Sequence, residues 1–175
     1  MKIGIISDTH DHAKNLLKAC SFLNQQKVDL IYHCGDWVSP FIFEFFFNVC
    51  RPNAPVKSVL GNNAGDVFMT LQRLGKNKFP LQLEPYTLKD QVDNKQIILY
   101  HGHDKNITEA LTHSGLYDLV ISGHTHQSLV EKLGNTLHIN PGTTCGTNSS
   151  TIFTPTLAIY ETDTNQAKII KFLEK

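Results

Sequence analysis

Short apolar runs recur along the first part of the chain, and each has the length of a buried β-strand. They are rich in β-branched residues and are followed by polar or glycine-containing segments, which is typical of strands in an α/β protein. The runs are KIGIIS at 2–7, DLIYHC at 29–34, VKSVL at 56–60, KQIILY at 95–100 and YDLVISG at 117–123.

Amphipathic stretches separate these runs. A helix is predicted over about residues 12–26, where the apolar side chains recur at helical spacing. A second helix should begin near Ser39, a suitable N-cap, with Pro40 at its first position. Two more are expected over about residues 65–74 and 107–113. Strands that alternate with short helices predict a largely parallel sheet covered by helices.

From residue 127 onward the pattern becomes that of hairpins. SLVEKLGNTLHIN has Gly134 and Asn135 at a turn, and TLAIYETDTNQAKIIKFL turns around residues 163–165. We therefore expect a second, antiparallel layer. No internal repeat, low-complexity segment or linker interrupts the chain, so the pattern predicts one α/β sandwich domain over residues 1–175.

The segment FIFEFFFNVC at 41–50 is apolar on almost every side of a helix. It could be a helix buried between the sheet and its neighbours, or an interface in a homo-oligomer. Burial in the core is the favoured interpretation, and a homo-oligomer stays an alternative.

Charge and composition exclude several classes of partner. Lys plus Arg equal Asp plus Glu at 16 each, without a run of like charges, so neither nucleic acid nor a membrane surface is an expected partner. A small substrate is favoured. The four cysteines lie far apart without a Cys-X-X-Cys pair, which indicates reduced thiols. No signal peptide or membrane-spanning apolar run is visible, so we expect a soluble, cytoplasmic protein.

Side chains that bind metals through oxygen or nitrogen follow each apolar run. Ligands of open α/β sheets bind beyond the carboxyl ends of the strands, so these side chains should meet at one edge. A single His-X-His motif would more often be a pair of hydrogen-bonded loop residues, but five strand ends that all carry such side chains indicate a metal site. The set is Asp8, His10, Asp36, Asn62, His101, His124 and His126.

The size and chemistry of this set predict two ions. A structural zinc takes four ligands and often uses cysteine, whereas this larger set suits two ions that share a carboxylate. We expect Asp36 to be the bridge, because Gly35 beside it removes side-chain bulk where the backbone must approach the ions. Nitrogen and oxygen ligands admit Mn, Fe, Co, Ni or Zn, of which we expect Mn.

The ordered motifs resemble those of the calcineurin-like metallophosphoesterases. They are DTH at 8–10, GD at 35–36, GNN at 61–63, HGH at 101–103 and GHTH at 123–126. The chain length, together with NPGT at 140–143, resembles the small bacterial and archaeal phosphodiesterase branch typified by YfcE. The resemblance implies a four-layer sandwich of two mainly mixed β-sheets flanked by helices.

The resemblance also implies how the ligands divide. Asp8, His10 and His126 would hold the first ion. Asn62, His101 and His124 would hold the second, with Asp36 between them. In our interpretation this answers why two histidines follow one strand: His124 and His126 serve different ions.

The implied activity is that of a dinuclear phosphodiesterase acting on a small phosphoester. Two divalent ions offset the charge of the diester and lower the pKa of water, so that a metal-bridging hydroxide can attack phosphorus in line. We expect Asn62 and His103 to stabilise the charge that develops on the phosphoryl oxygens. His103 could equally be a hydrogen-bonded orienting residue. No organic cofactor is expected.

Other polar residues near the motifs receive less specific predictions. Thr9, Ser39 and Thr125 are expected to form hydrogen bonds to the ligands. The remaining histidines are predicted to be structural or exposed; they are His12, His33, His113 and His138.

Two points bear on activity. Asn63 occupies a position where many members of the superfamily carry a histidine that protonates the leaving group, although the small phosphodiesterase branch often lacks it.

The alternative function is a protein-binding scaffold similar to the retromer subunit of this fold. Such scaffolds typically lose ligands, and because this chain keeps the whole set, an enzyme is favoured.

Overall fold

Two mixed β-sheets lie face to face in the structure, a computed structural model that describes residues 1–147 and 150–172. In chain order the strands are β1 (Lys2–Ile6), β2 (Leu30–His33), β3 (Val56–Val59), β4 (Leu81–Glu84), β5 (Thr87–Val92), β6 (Lys95–Tyr100), β7 (Leu119–Ile121), β8 (Ser128–Leu133), β9 (Thr136–Pro141), β10 (Thr156–Glu161) and β11 (Gln166–Lys171). The first sheet has the order β11-β10-β1-β2-β3-β4, and the second has the order β5-β6-β7-β9-β8.

Helices cover the outer faces of the sheets. They are α1 (Ala13–Gln26), α2 (Pro40–Phe45), which continues as a π-helical segment (Phe46–Cys50), α3 (Val67–Asn77) and α4 (Lys105–His113). The predicted cap is present, since Ser39 accepts a hydrogen bond from the Phe41 N–H and Pro40 follows it. The four-layer fold implied by the family resemblance is therefore confirmed.

Alternation along β1 divides the core into two layers. Ile3 and Ile5 point between the sheets and pack with Leu99 and Ile121 of the second sheet. Ile6 faces the opposite way, into a second cluster formed with the apolar side chains of α1 and α2. Because successive strand residues face opposite sides, one nearly continuous apolar run supplies both layers. The expected domain of residues 1–175 includes 148–149 and 173–175, which lie outside the described residues.

The prediction of an antiparallel second layer is wrong. β9 runs parallel to β7, so the second sheet is mixed. The hairpin of β10 and β11 does not belong to it and instead completes the first sheet beside β1. The sequence pattern also does not predict β4 and β5. In β5 only Leu88 and Val92 are buried, among exposed or half-buried polar residues, which leaves a weak apolar signal.

The apolar segment at 41–50 contributes to the core. Ile42, Phe43 and Phe46 are buried against the first sheet, which agrees with the favoured interpretation. Phe41 and Val49 are exposed. All four cysteines are buried and free, as expected for core thiols. None of the helices in the described part of the chain has the length and apolarity that crossing a membrane requires.

A polar cluster joins the two sheets. The Tyr32 hydroxyl of β2 donates a hydrogen bond of 2.7 Å to Asp90 of β5, and the Lys57 ammonium of β3 lies 2.6 Å from the same carboxylate oxygen. Burial alone would raise the pKa of Asp90, but hydrogen bonds from Lys57 and Tyr32 outweigh it and lower that pKa. The charged carboxylate is therefore the form that the fold stabilises.

We expect Tyr32→Phe to lower the free energy of unfolding by about 1.5–3 kcal/mol, the usual range for a hydrogen bond to a charged group. Urea denaturation measures this loss. Because the pKa of Asp90 is lowered, the stability that the charged carboxylate contributes is present above the unfolded pKa of about 3.9 and is lost as pH falls through the folded pKa. The difference in free energy of unfolding between the unmodified protein and Tyr32→Phe should therefore shrink at acid pH. Tyr86→Phe, at an exposed position, should change stability by less than about 0.5 kcal/mol; equal losses from both variants would contradict the role of the cluster.

Candidate metal centre

The carboxyl ends of strands from both sheets meet at one edge of the molecule. The loops after β1, β2 and β3 bring Asp8, His10, Asp36 and Asn62, and the loops after β6 and β7 bring His101, His124 and His126. The contacts described below link all seven. The expected convergence is thus present, but it involves the edges of two sheets rather than of one.

One group of ligand-type atoms surrounds Asp8 Oδ1. It lies 3.3 Å from His126 Nε2 and 3.7 Å from His10 Nε2, and these two nitrogens are 3.2 Å apart. Asp8, His10 and His126 have the geometry of a group that could hold a metal ion. This is the set that the family resemblance implies for the first ion.

A second group of ligand-type atoms includes Asp36 and His101. Asp36 Oδ1 lies 3.3 Å from His101 Nε2, and Asp8 completes a further group that could hold an ion. Nearby, Asn62 Oδ1 lies 2.9 Å from His124 Nδ1, a spacing at which two atoms can share a proton or a cation. The His101 and His124 rings are 5.3 Å apart between centroids, so Asn62 and His124 stand beside this second group.

Two buried atoms support the interpretation that these groups bind cations. Asp8 Oδ1 and His101 Nε2 are buried and have no hydrogen-bond partner among the described residues. The Cys34 carbonyl lies 2.7 Å from His101 Nδ1 and can only accept, so Nδ1 carries the proton. In the neutral ring, His101 Nε2 then presents a lone pair toward Asp36. Unpaired buried acceptors are costly, and a divalent cation would satisfy them both.

The electrostatics keep both carboxylates charged. Burial alone would raise the pKa of Asp8, but the imidazoles of His10 and His126 beside it hold that pKa well below its usual range. For Asp36 burial is likewise outweighed, by His101 and Asn63, and the pKa is lowered. Two nearly inaccessible negative charges therefore require positive charge close by.

The ligand loops hold unusual backbone conformations. Five of the seven predicted ligands have positive φ, a region that residues other than glycine rarely adopt and that costs of order 1–3 kcal/mol each. They are Asp8 (53°), His10 (42°), Asp36 (60°), His124 (67°) and His126 (61°). His124 and His126 thus lie beyond the end of β7, and the loop conformation rather than strand alternation determines where they point.

Glycines give these loops room to approach each other. A Cβ on Gly61 would overlap Asp36 Oδ1 and the Asp36 backbone nitrogen, and Gly61 has φ +88°. A Cβ on Gly35 would lie 2.8 Å from His101 Nδ1. The expectation that Gly35 makes space beside the ligands is consistent with these distances, and Gly61 has the same effect.

His33 links two of the ligand loops, a role that the sequence does not indicate. Its Nδ1 accepts a hydrogen bond from the Gly35 N–H, so its Nε2–H can donate to Thr9 Oγ1 at 2.7 Å. Burial lowers the pKa of His33 to about 3, so the ring is neutral at physiological pH. The ring stacks on Trp37 with centroids 3.6 Å apart. His33 is therefore structural, as predicted, and it is fully buried rather than exposed.

The hydrogen bonds to the ligands come from residues other than those expected. Thr9 contacts His33, and the Thr125 hydroxyl accepts from Asn140. Asp8 Oδ2 instead accepts from the Ser7 hydroxyl and from the His124 N–H. Such contacts depend on how the loops pack, and the sequence pattern gives no sign of them.

An open cavity of about 610 Å³ lies over the two groups. His12 and Cys145 line it beside the predicted ligands, and His12 was not expected at the site. His12 caps α1 by accepting the Asn15 N–H at Nδ1. His103 is absent from this wall; its ring lies 6.4 Å from that of His124, on the side of a separate cavity.

Residues 1–165 match the family described as the calcineurin-like phosphoesterase superfamily domain. The chain belongs to this superfamily. The suspected family is therefore confirmed, and membership supports the predicted enzyme class, a hydrolase of phosphoric ester bonds. The family's use of divalent metals agrees with the two groups of ligand-type side chains described above.

Relatives of this calcineurin-like phosphoesterase agree in length. Phosphodiesterase MJ0936 of Methanocaldococcus jannaschii is 36% identical over 97% of this chain and 98% of its own. A solved structure described as a novel archaeal phosphodiesterase is 35% identical, with a TM-score of 0.87 over 98% of this chain and 100% of its own. The Escherichia coli phosphoesterase YfcE is 16% identical, with a TM-score of 0.67 over 98% and 99% of the two chains, and this likeness concerns the fold alone.

We expect Gly61→Ala to weaken metal binding by about 10- to 100-fold, the usual effect of disturbing a residue that orients a ligand. The added methyl group would displace Asp36. Metal content after dialysis and isothermal titration with Mn²⁺ would measure the loss. Gly75→Ala is the matched control, because nothing lies within 4 Å of a Cβ at that position of α3; it should bind metal as the unmodified protein does. Equal metal affinities in all three proteins would show that the close contact between Gly61 and Asp36 does not matter for metal binding.

Proposed function

We propose that the chain is a dinuclear metal-dependent phosphodiesterase, formed as one domain and acting on a small phosphoester. The position of Asp36 carries the proposal. Asp36 Oδ2 lies 3.5 Å from His10 Nε2, while Oδ1 lies 3.3 Å from His101 Nε2. One carboxylate thus turns an oxygen toward each group, which is the arrangement a bridging ligand needs.

In this proposal the seven side chains divide between two sites. Asp8, His10 and His126 hold one ion, while Asn62, His101 and His124 hold the other, and Asp36 contributes to both. The separate contacts of the two neighbouring histidines support the division. His126 Nε2 faces Asp8, whereas His124 Nδ1 faces Asn62.

When bound, two divalent ions would offset the charge of a phosphodiester and lower the pKa of water toward about 7. The residues of the chain orient the centre. The Cys34 carbonyl fixes the tautomer of His101, and the Ser7 hydroxyl holds Asp8. The Asn62 amide nitrogen is available to donate to a phosphoryl oxygen as charge develops there. MJ0936 and the archaeal protein of known structure are both described as phosphodiesterases, which supports a diester rather than a monoester as the substrate.

Asn63 orients the proposed bridge and does not supply a proton. Its backbone N–H donates to Asp36 Oδ1 at 2.8 Å, and its side-chain amide donates to Asp36 Oδ2 at 2.7 Å. An amide is not an effective acid. The position where many superfamily members carry a histidine is therefore used here to hold the carboxylate in place.

His103 stays a predicted catalytic residue without direct support. Its Nε2 lies 3.5 Å from the Tyr100 hydroxyl, and that hydroxyl accepts the Asp104 N–H at the start of α4. These contacts favour the orienting role.

The metal is proposed to be Mn, with Fe, Co, Ni and Zn as alternatives, because imidazole and carboxylate ligands accept all five.

The scaffold alternative has less support than the enzyme. It predicts gaps in the ligand set, yet all seven side chains are present and lie in contact with one another. The buried acceptors Asp8 Oδ1 and His101 Nε2 would also be destabilising in a protein that had no use for a cation.

Asp36→Ala should lose both ions and essentially all diester hydrolysis, because the bridge serves both groups. Crystals of the unmodified protein grown with Mn²⁺ should give two anomalous peaks, one near His124 and one near His126. Asp163→Ala, at an exposed turn position, is the control and should keep two metals per chain. A single peak bound by both rings, or full activity in Asp36→Ala, would overturn the two-metal proposal.

Hydrolysis should depend steeply on the acidity of the leaving group, because general acid catalysis is worth about 10² to 10⁴ in rate and no acid occupies position 63. Aryl diesters of graded pKa, measured where chemistry limits the rate, test this expectation. Asn63→His should favour the poor leaving groups selectively, provided that its metal content matches that of the unmodified protein, since the change removes the Asn63 amide from Asp36. A flat plot for the unmodified protein would show that another acid already acts.

A further inference from the structure

A second cavity, of about 430 Å³, lies on the outer face of the second sheet beside α4. Its wall includes Gly102, Thr108, Ser122 and His138. His124 lines this cavity as well as the one over the metal centre, so the two cavities share one side chain. The metal-binding groups described above do not account for Ser122 and His138, two polar side chains of this wall.

Three of the polar groups beside this cavity form a chain of hydrogen bonds. Ser122 Oγ lies 2.9 Å from His138 Nε2, and His138 Nδ1 lies 3.1 Å from Glu131 Oε1. Strand pairing fixes their order. Glu131 of β8 is directly opposite His138 of β9, and His138 is opposite Val120 of β7, two residues before Ser122.

The direction of these hydrogen bonds follows from the carboxylate. An ionised Glu131 can only accept, so His138 Nδ1 carries the proton and donates it. The unprotonated Nε2 of the neutral ring then accepts the hydroxyl hydrogen of Ser122. A hydroxyl paired with a base, whose far side is held by a carboxylate, is the arrangement that activates serine nucleophiles.

The surroundings suit acyl chemistry. Ser122 is 3% exposed, so its hydroxyl is largely shielded from bulk water and has access to the cavity that it lines. Lys105 and Gln127 line the same cavity, and their side chains carry donors of the kind that stabilise a developing oxyanion. Gly102 passes above Ser122, where a Cβ would lie 3.4 Å from that of the serine.

We propose that Ser122, His138 and Glu131 form a second hydrolytic site, which cleaves small carboxylic esters without a metal. Ser122 Oγ bonds to the carbonyl carbon as its proton passes to His138 Nε2. The ester C–O bond then breaks, and the alcohol leaves with that proton. Water attacks the acyl-serine, giving a proton to His138, and the acid departs as the proton returns to Ser122 Oγ.

The test uses the full-length protein in EDTA with 4-nitrophenyl acetate and butyrate, and a fluorophosphonate probe. We expect ester turnover that the chelator does not remove and one covalent adduct, which peptide mass spectrometry should locate at Ser122. Ser122→Ala should abolish both, and His138→Gln should slow ester turnover by about 10³-fold or more. Ser21→Ala, which changes an exposed serine of α1 far from this cavity in sequence, should leave both unchanged.

Several results would overturn the proposal. They are ester turnover no faster than that of Ser122→Ala, an adduct at another residue, or equal turnover in His138→Gln; each would make the three residues a structural hydrogen-bond chain. Diester hydrolysis with Mn²⁺, measured on the His138→Gln sample, reports whether the fold is intact. If Ser122→Ala does not fold, the absence of a Ser122 adduct in the unmodified protein decides against the site.

Discussion

The burial of two charged carboxylates at the joint edge of the sheets is the constraint on which the rest of the structure depends. Asp8 and Asp36 are almost inaccessible to solvent, and desolvating a charge is costly unless opposite charge or hydrogen bonds compensate for it. The protein supplies part of this compensation through the Ser7 hydroxyl, the His124 backbone N–H and the two amides of Asn63. The remaining contacts are with imidazole nitrogens, which can share a cation with the carboxylates, and the fold brings them from both sheets to the same place.

Backbone hydrogen bonds between loops hold these groups in conformations that isolated loops would not keep. The Asp8 N–H donates to the Gly35 carbonyl, the His10 N–H donates to the Asp36 carbonyl, and the Gly123 N–H donates to the His101 carbonyl. Each bond joins the loops of two different strands. Together with the stacked and hydrogen-bonded ring of His33, they oppose the cost of positive φ at the ligands. A stable core is thus used to maintain a strained edge, as is common at functional sites.

Sequence alone predicts the strands that end in ligands, because their apolar runs are long and their polar ends abrupt. It predicts β5 poorly, since Leu88 and Val92 are the only buried side chains in that strand. It also does not reveal that β10 and β11 return to the first sheet, because a hairpin carries no sign of the strand beside which it lies. The alignment of Ser122, His138 and Glu131 depends on the register of three strands, and no local pattern encodes that register.

Exposure differs between the two proposed sets of ligands. Asp8, Asp36, His101 and His126 are buried, whereas Asn62 and His124 are exposed and His10 is intermediate. The division proposed above therefore places one ion among more enclosed side chains and the other beside solvent. Ligands whose positions are fixed by packing lose less freedom on binding, so the enclosed group should bind its ion more tightly. The open side, bounded by Asn62 and His124, is where a diester could approach without moving a strand, and an accessible side of this kind is what a catalytic metal site would need.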